Sequence, residues 1–461
     1  MGLLHKLLFH GTLFVVLISI GIGILVNKLS QPAPVPELSP QWWGAGQPRK
    51  DDPAIKPFQI NISKQVIDDL NSRLRSTAPM TAPLEGVGFE YGFNTEHLKS
   101  VVDFWLNKYN WKEREAFLNS LPQFKTQVSG LQLHYIHVKP SKVPSGVTVV
   151  PLLLLHGWPG SIREFYQLIP LLTTPHHGTD FIFEVIAPSL PGYGFSEGAS
   201  KPGLGPAQIA VVFKSLMEKL GFKKFYVQGG DWGSAIGSSL ATLYPQSVLG
   251  YHSNFCFLLS PWNFFKSFVG GFWPSLVVEE QYASRMYPTG KIVSHLLEES
   301  GYMHIQASKP DTVGIALRDS PVGLAAYLLE KFSTWTDPAL RSLPDGGLTK
   351  KYSLTDLLDN VMIYWVTGSI TTSMRLYSEF FRFENLALKM DSVPCVVPTA
   401  CAVFPHELGY SPESFMRDKY PNLVKYTHLP RGGHFAAFEE PELLAEDIWS
   451  AVQIMRQSNK S

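Results

Sequence analysis

The chain has 461 residues, 45% of them apolar, with 39 basic and 39 acidic side chains. That size can bury one large core with accessory or inserted layers, and balanced charge without long single-sign runs excludes the positive footprint of a nucleic-acid binder. The three cysteines, Cys256, Cys395 and Cys401, stand among apolar neighbours without metal-ligand spacing, which points to buried thiols in a reducing compartment rather than to disulfides or a zinc site.

In chain order, Leu7–Val26 is a run of about twenty mostly apolar residues between Lys6 and Lys28, the length of a bilayer span. No small-x-small cleavage motif follows it, so residues 1–30 are expected to form a retained membrane anchor rather than a cleaved leader. Lysines at both ends leave the orientation weakly coded. The Asn61-Ile62-Ser63 sequon would matter only in a lumenal body. Residues 31–57, opening with SQPAPVPELSP, read as a Pro-rich spacer. Within it, Trp42 and Trp43 are expected to add lipid contact.

Residues 58–145 read as an accessory layer. Apolar residues recur at helical spacing over 63–73 and 96–119, and FKTQVSGLQLHYIHVKP alternates like a hairpin turning at Ser129-Gly130. Over 146–254 the pattern becomes strand and helix in turn, which means a mainly parallel sheet with crossover helices. From 255 to 365 that rhythm stops, and aromatic helix-like segments such as FFKSFVGGFW and GLAAYLLEKFSTW predict an inserted helical lid. Residues 366–461 resume the sheet with PCVVPTACAVF and LVKYTHLPRGGH and close on the amphipathic stretch PELLAEDIWSAVQIM. No internal repeat is present.

One stretch carries chemistry. KFYVQGGDWGSAIGSSLATLYP reads as buried strand, sharp turn and small-residue helix, with Gly229 and Gly233 two positions either side of Asp231. That is the spacing of a nucleophile elbow in an α/β-hydrolase fold, with aspartate where serine is usual. The formal serine match at Gly194-Phe195-Ser196-Glu197-Gly198 fails, because no helix follows it directly. In this fold the acid and histidine follow the nucleophile at later strand ends. Glu407, just past PCVVPTACAVF, and His434 in Arg431-Gly432-Gly433-His434 satisfy that order. Asp418 also lies between the late strands, but in the polar stretch MRDKYPN, so Glu407 is preferred. Backbone N–H groups of Trp232 and of Trp158, in His156-Gly157-Trp158-Pro159-Gly160, are the expected oxyanion donors, and His156 is read as structural.

An aspartate nucleophile suits displacement at saturated carbon, leaving an alkyl ester that histidine-activated water then cleaves. Were the leaving group an epoxide alkoxide, it would need a proton donor, for which a tyrosine hydroxyl is fit. Spacing alone does not choose among the 18 tyrosines.

The segments HGWPGS, PSLPGYGFSEG, VQGGDWGS, ESGYMHIQASKPDTVG, EKFSTWT and RGGHFAAFEEPELLAEDI, with Trp42-Trp43-Gly44 and PLEGVGFEYGFNT, together resemble the microsomal epoxide hydrolase family, including its arthropod juvenile-hormone branch. The resemblance runs from the anchor to the last helix. It implies Asp231 as nucleophile, His434 as base, Glu407 as its acid, and Tyr302 and Tyr377 as the ring-opening pair. It further implies no cofactor, a small lipophilic epoxide as substrate (a juvenile-hormone-like terpenoid or a xenobiotic), and an endoplasmic-reticulum or microsomal membrane location with the body cytosolic. The rival readings are a haloalkane dehalogenase-like hydrolase, which would need indole or amide donors around a halide and no tyrosine acid, and a catalytically silent binding module.

Overall fold

The computed structural model describes residues 10, 17, 19–21 and 23–458. The expected anchor at Leu7–Val26 lies largely outside them, and among the described residues no helix is long and apolar enough to cross a membrane.

A single nine-stranded sheet, in the order β1-β2-β3-β5-β4-β6-β7-β8-β9, organises the chain. Its strands are β1 (Ile55–Phe58), β2 (Gln123–Val128), β3 (Leu131–Val138), β4 (Thr148–Leu155), β5 (Phe181–Pro188), β6 (Phe225–Gly229), β7 (Val248–Ser253), β8 (Thr399–Val403) and β9 (Leu423–His428). From β5 to β9 every neighbouring pair is parallel, while β1, β2 and β3 are antiparallel and join the rest through β3 on β5. The parallel strands are covered on both faces, so β6, β8 and the end of β4 are buried without alternation. The accessory layer is therefore an extension of the main sheet, with its helices Lys64–Arg75 and Thr95–Asn107 packed against the lid helix Pro321–Thr334.

The β2–β3 hairpin turns at Ser129 and Gly130, whose φ values of 54° and 83° make the tight turn the alternation predicted. Both amides of that turn donate to the Asp51 carboxylate, at 2.7 and 2.8 Å. The Pro-rich segment is consequently a docked strap. The Ala33 amide donates to Ser392 O at 2.8 Å and the Trp43 amide to Ser129 O at 2.8 Å. Trp43 is buried at 4% exposure, which removes it from the lipid contact expected of it.

Between β7 and β8 every regular element is a helix or 3-10 turn. The helices continue past residue 365, where the lid was expected to end, through Ile370–Phe380 and Phe383–Leu386, and the sheet resumes only at β8. Both tyrosines implied by the resemblance thus lie within one insertion. A buried cluster fastens it: Asp359, on lid helix Leu354–Thr367, accepts from Arg163 Nε at 2.9 Å, Arg114 Nη2 at 2.6 Å and Tyr109 Oη at 3.0 Å. Lid, core loop and accessory layer meet on this one carboxylate.

Candidate active site

Asp231 sits between β6 and helix Trp232–Leu243 at φ 48°, in the left-handed region that non-glycine residues rarely occupy. The glycines around it are required by close approach. A Cβ on Gly233 would lie 2.1 Å from Leu155 O, and one on Gly157 would lie 2.0 Å from Asp231 Oδ1. The loop after β4 and the turn after β6 can therefore press together, and the Trp158 amide donates to Asp231 Oδ1 at 2.7 Å. The Trp232 amide is the first of its helix, where N–H groups have no intrahelical acceptor. His156 holds the loop's shape: its Nε2 accepts from the Leu190 amide at 3.1 Å, and burial depresses its pKa to about 4, so it is neutral. Ser196 is turned away, donating to Ser189 O at 2.7 Å.

His434 follows β9 on a loop whose backbone is clamped to the lid, its amide donating to Trp335 O at 2.9 Å. Its Nδ1 is 2.6 Å from Glu407 Oε1, and its Nε2 is 3.5 Å from Asp231 Oδ2. Burial by itself would lower the imidazole pKa, but the Glu407 and Asp231 carboxylates outweigh it and hold the value well above the usual histidine range. Asp418 is elsewhere, on the surface helix Glu413–Lys419, paired with Lys266.

Tyr302 and Tyr377 come from separate lid helices and converge on the Trp158 indole. The Tyr302 ring stacks on Trp158 at 5.3 Å and 6°, and the Tyr377 ring stands edge-on to Trp232 at 4.7 Å and 86°. Their ring centroids are 5.9 Å apart. Burial first, and the nearby Asp231 charge after it, raise both phenol pKa values, so both hydroxyls stay protonated as donors.

Asp231 also borders a small cavity of about 20 Å³, enough for a single water, lined in addition by His434, Asn254, Gln228 and Glu164. Gln228 Oε1 is buried there without a protein partner. The Glu164 carboxyl is pushed up to about 8 by burial, an effect that the nearby His434 charge partly offsets. Sequence reasoning missed Glu164. The available signal was an acid three residues after HGWPGS, but nothing in its spacing says that the 3-10 turn Ile162–Phe165 brings it near Asp231.

The match to known proteins covers most of the chain. Residues 55–165 match the family model described as the epoxide hydrolase N terminus, and residues 150–275 match the alpha/beta hydrolase fold. Juvenile hormone epoxide hydrolase 2 of Ctenocephalides felis is 55% identical over 95% of this chain and 94% of its own. The chain belongs to the microsomal epoxide hydrolase family. Epoxide hydrolase 1 of Sus scrofa is 48% identical over 90% of this chain and 93% of its own. The crystal structure of juvenile hormone epoxide hydrolase from the silkworm Bombyx mori superposes with a TM-score of 0.89 at 51% identity, over 91% of this chain and 99% of that one. The protein is an epoxide hydrolase on an α/β-hydrolase fold, and epoxide hydrolases take small lipophilic epoxides.

Proposed function

We propose that Asp231, His434 and Glu407 open lipophilic epoxides in two steps, with Tyr302 and Tyr377 as proton donors. The observation that carries this reading is the division of labour between the two Asp231 oxygens. Oδ1 is held by the Trp158 amide, while Oδ2 is free of that bond and faces His434. In the first step Oδ2 attacks a ring carbon, the C–O bond of the epoxide breaks, and a tyrosine hydroxyl protonates the departing oxygen. In the second, His434 takes a proton from water, whose oxygen adds to the Asp231 carboxyl carbon. The negative charge develops on Oδ1, stabilised by the Trp158 and Trp232 amides. Collapse releases the diol carrying Oδ2, to which His434 returns its proton, while the second proton of the water restores the tyrosine hydroxyl and leaves Asp231 ionised. The cavity beside Glu164 and Gln228 has the polar lining to hold the attacking water.

Single turnover in oxygen-18 water tests the order of events. The label should enter the Asp231 carboxylate, and the first-turnover diol should carry none. Label in that first diol would mean direct attack of water on the ring.

Among epoxides we infer that juvenile-hormone-like terpenoids are preferred over xenobiotics. Relatives named juvenile hormone epoxide hydrolase are 55%, 54%, 50% and 48% identical, so the highest identities fall in that group, while those named epoxide hydrolase 1 are 48% and 49% identical. Turnover of a terpenoid epoxide ester beside styrene oxide and a fatty-acid epoxide decides between them. The buried, unpartnered indole nitrogens of Trp158 and Trp232 are the feature a halide site would use, so a haloalkane belongs in the same assay. We further infer that Leu7–Val26 anchors the chain in an endoplasmic-reticulum membrane with the body on the cytosolic side, a reading supported by the length of the apolar run and by the lipophilicity of the substrate class.

A further inference from the structure

The segment after β7 is unusually bare of charge. Between Ser253 and Val278 the one charged residue is Lys266. That lysine is turned back onto Asp418, its Nζ 4.0 Å from the Phe415 ring centroid. Helix Pro261–Gly270 and the turn after it expose Phe264, Phe268, Phe272, Trp273 and Leu276 at 60%, 67%, 65%, 62% and 70%. These side chains form a patch: Phe268 and Phe272 are 5.4 Å apart by ring centroid, Phe272 and Trp273 5.9 Å, and Phe264 precedes Phe268 by one helical turn. Isolated apolar residues on a surface need no explanation, but a contiguous aromatic patch marks an interaction surface.

The path of the N-terminal chain says what covers it. Ala33 is hydrogen-bonded to Ser392, and the carboxylate of the preceding residue, Asp391, accepts from the Leu259 amide at 2.9 Å, two residues before the exposed helix begins. The chain that leads back from Ala33 toward the apolar run therefore starts beside the root of that helix. From Val26 to Ala33 the chain can reach at most about 25 Å, so a bilayer holding the run lies alongside the aromatic face. Phenylalanine, tryptophan and leucine on one face, without a basic cluster, fit apolar insertion at the depth of the lipid headgroups.

We propose that helix Pro261–Gly270 and the turn through Leu276 dock the lid into the interface of the membrane that holds the N-terminal segment. The proposal rests on the reading of Leu7–Val26 as an anchor. The docked face continues into the site, because Phe255, at the head of the same segment, stands edge-on to the His434 ring at 5.8 Å. A lipophilic epoxide dissolved in the bilayer thus meets the lid without first crossing water.

The test uses the full chain in phosphatidylcholine vesicles, carrying an environment-sensitive fluorophore on Phe268→Cys, Leu276→Cys or, as control, Ser141→Cys. Ser141 lies in the exposed loop before β4, at the end of the sheet away from the catalytic strand ends. The three native cysteines are buried and should not label. Nitroxide-bearing lipids should quench the fluorophore at 268 and 276 at least several-fold more than at 141, with little effect of salt. Equal quenching at all three sites while the protein floats with the vesicles would overturn the docking and leave the anchor standing. A fluorophore at 268 shielded from water yet unquenched by lipid, with cross-linking between chains, would assign the face to a second copy and also overturn the proposal. Protein that does not float with vesicles at all would overturn both readings.

Discussion

At the scale of single residues, the proposed mechanism makes the charge on His434 decide when each step can run. Both carboxylates raise its pKa, so the free enzyme keeps an imidazolium above the ordinary histidine range, and that proton is lost only as pH rises through the elevated value. Forming the ester on Asp231 removes one of the two negative charges. The imidazole pKa then falls, and the ring becomes the base that the second step needs. Ester hydrolysis should accordingly speed up as pH rises and level off at an apparent pKa below that of the free enzyme, as rapid-quench kinetics over a pH series would show. Asp231→Asn imitates the uncharged ester, and by NMR titration its His434 should lose the proton at lower pH than in the wild type. A His434 that titrates at the same or higher pH in this variant would contradict the coupling. His434→Gln should form the ester and fail to cleave it, visible as a mass increase of one substrate.

At the scale of elements, two lid helices deliver one phenol each to a site whose other parts sit on strand ends. Gly301–Ser308 carries Tyr302 and Ile370–Phe380 carries Tyr377, and both rings pack against Trp158 and against each other. Two donors for one oxygen are partly redundant. Tyr302→Phe or Tyr377→Phe should each slow alkylation of Asp231 by roughly ten- to a thousandfold, against the usual range of acid–base assistance, and the double variant should nearly abolish it. Hydrolysis of the ester depends on His434 and the backbone amides, so it should change little in either single variant. Stopped-flow tryptophan fluorescence separates the steps. Wild-type alkylation in all three would make the tyrosines packing residues.

At the scale of the whole molecule, the accessory layer, core and lid are fastened by a buried charge cluster rather than by apolar contact alone. Asp359 is fully buried, and Arg163 beside it is 1% exposed. Removing one partner of a buried pair costs about 3–5 kcal/mol where the other is left uncompensated, but Asp356 also pairs with Arg163 and Arg114 and keeps part of their charge balanced. Asp359→Asn should therefore lower stability in chemical denaturation by less than that and loosen the lid, raising KM more than a distant core substitution of equal cost. The exposed pair Arg73–Asp319 joins an accessory helix to the lid in solvent, and Asp319→Asn should change little.

The order of strands and helices, the tight hairpin at Ser129-Gly130 and the Gly229-Gly230-Asp231-Trp232-Gly233 turn are local, and periodicity and glycine spacing encode them directly. So was the order of Asp231, Glu407 and His434, because each follows a strand end that the apolar pattern marks. Tyr302 and Tyr377 came into view only through resemblance, since an aromatic helix has the same pattern whether its tyrosines pack or face a site. Glu164 went unseen for the opposite reason: a lone acid near a loop looks solvated until the fold buries it beside Asp231. The strap over 31–57 and the lid past residue 365 were misjudged because proline-rich composition does not reveal docking, and helices in an insertion resemble crossover helices of the sheet. Sequence by itself determined the scaffold and singled out Asp231, Glu407 and His434 as the candidate reacting groups. Only tertiary structure decided which ones meet, because the contacts at Asp231, Asp359 and Ala33 join residues far apart in the chain, and their close approach is set by packing.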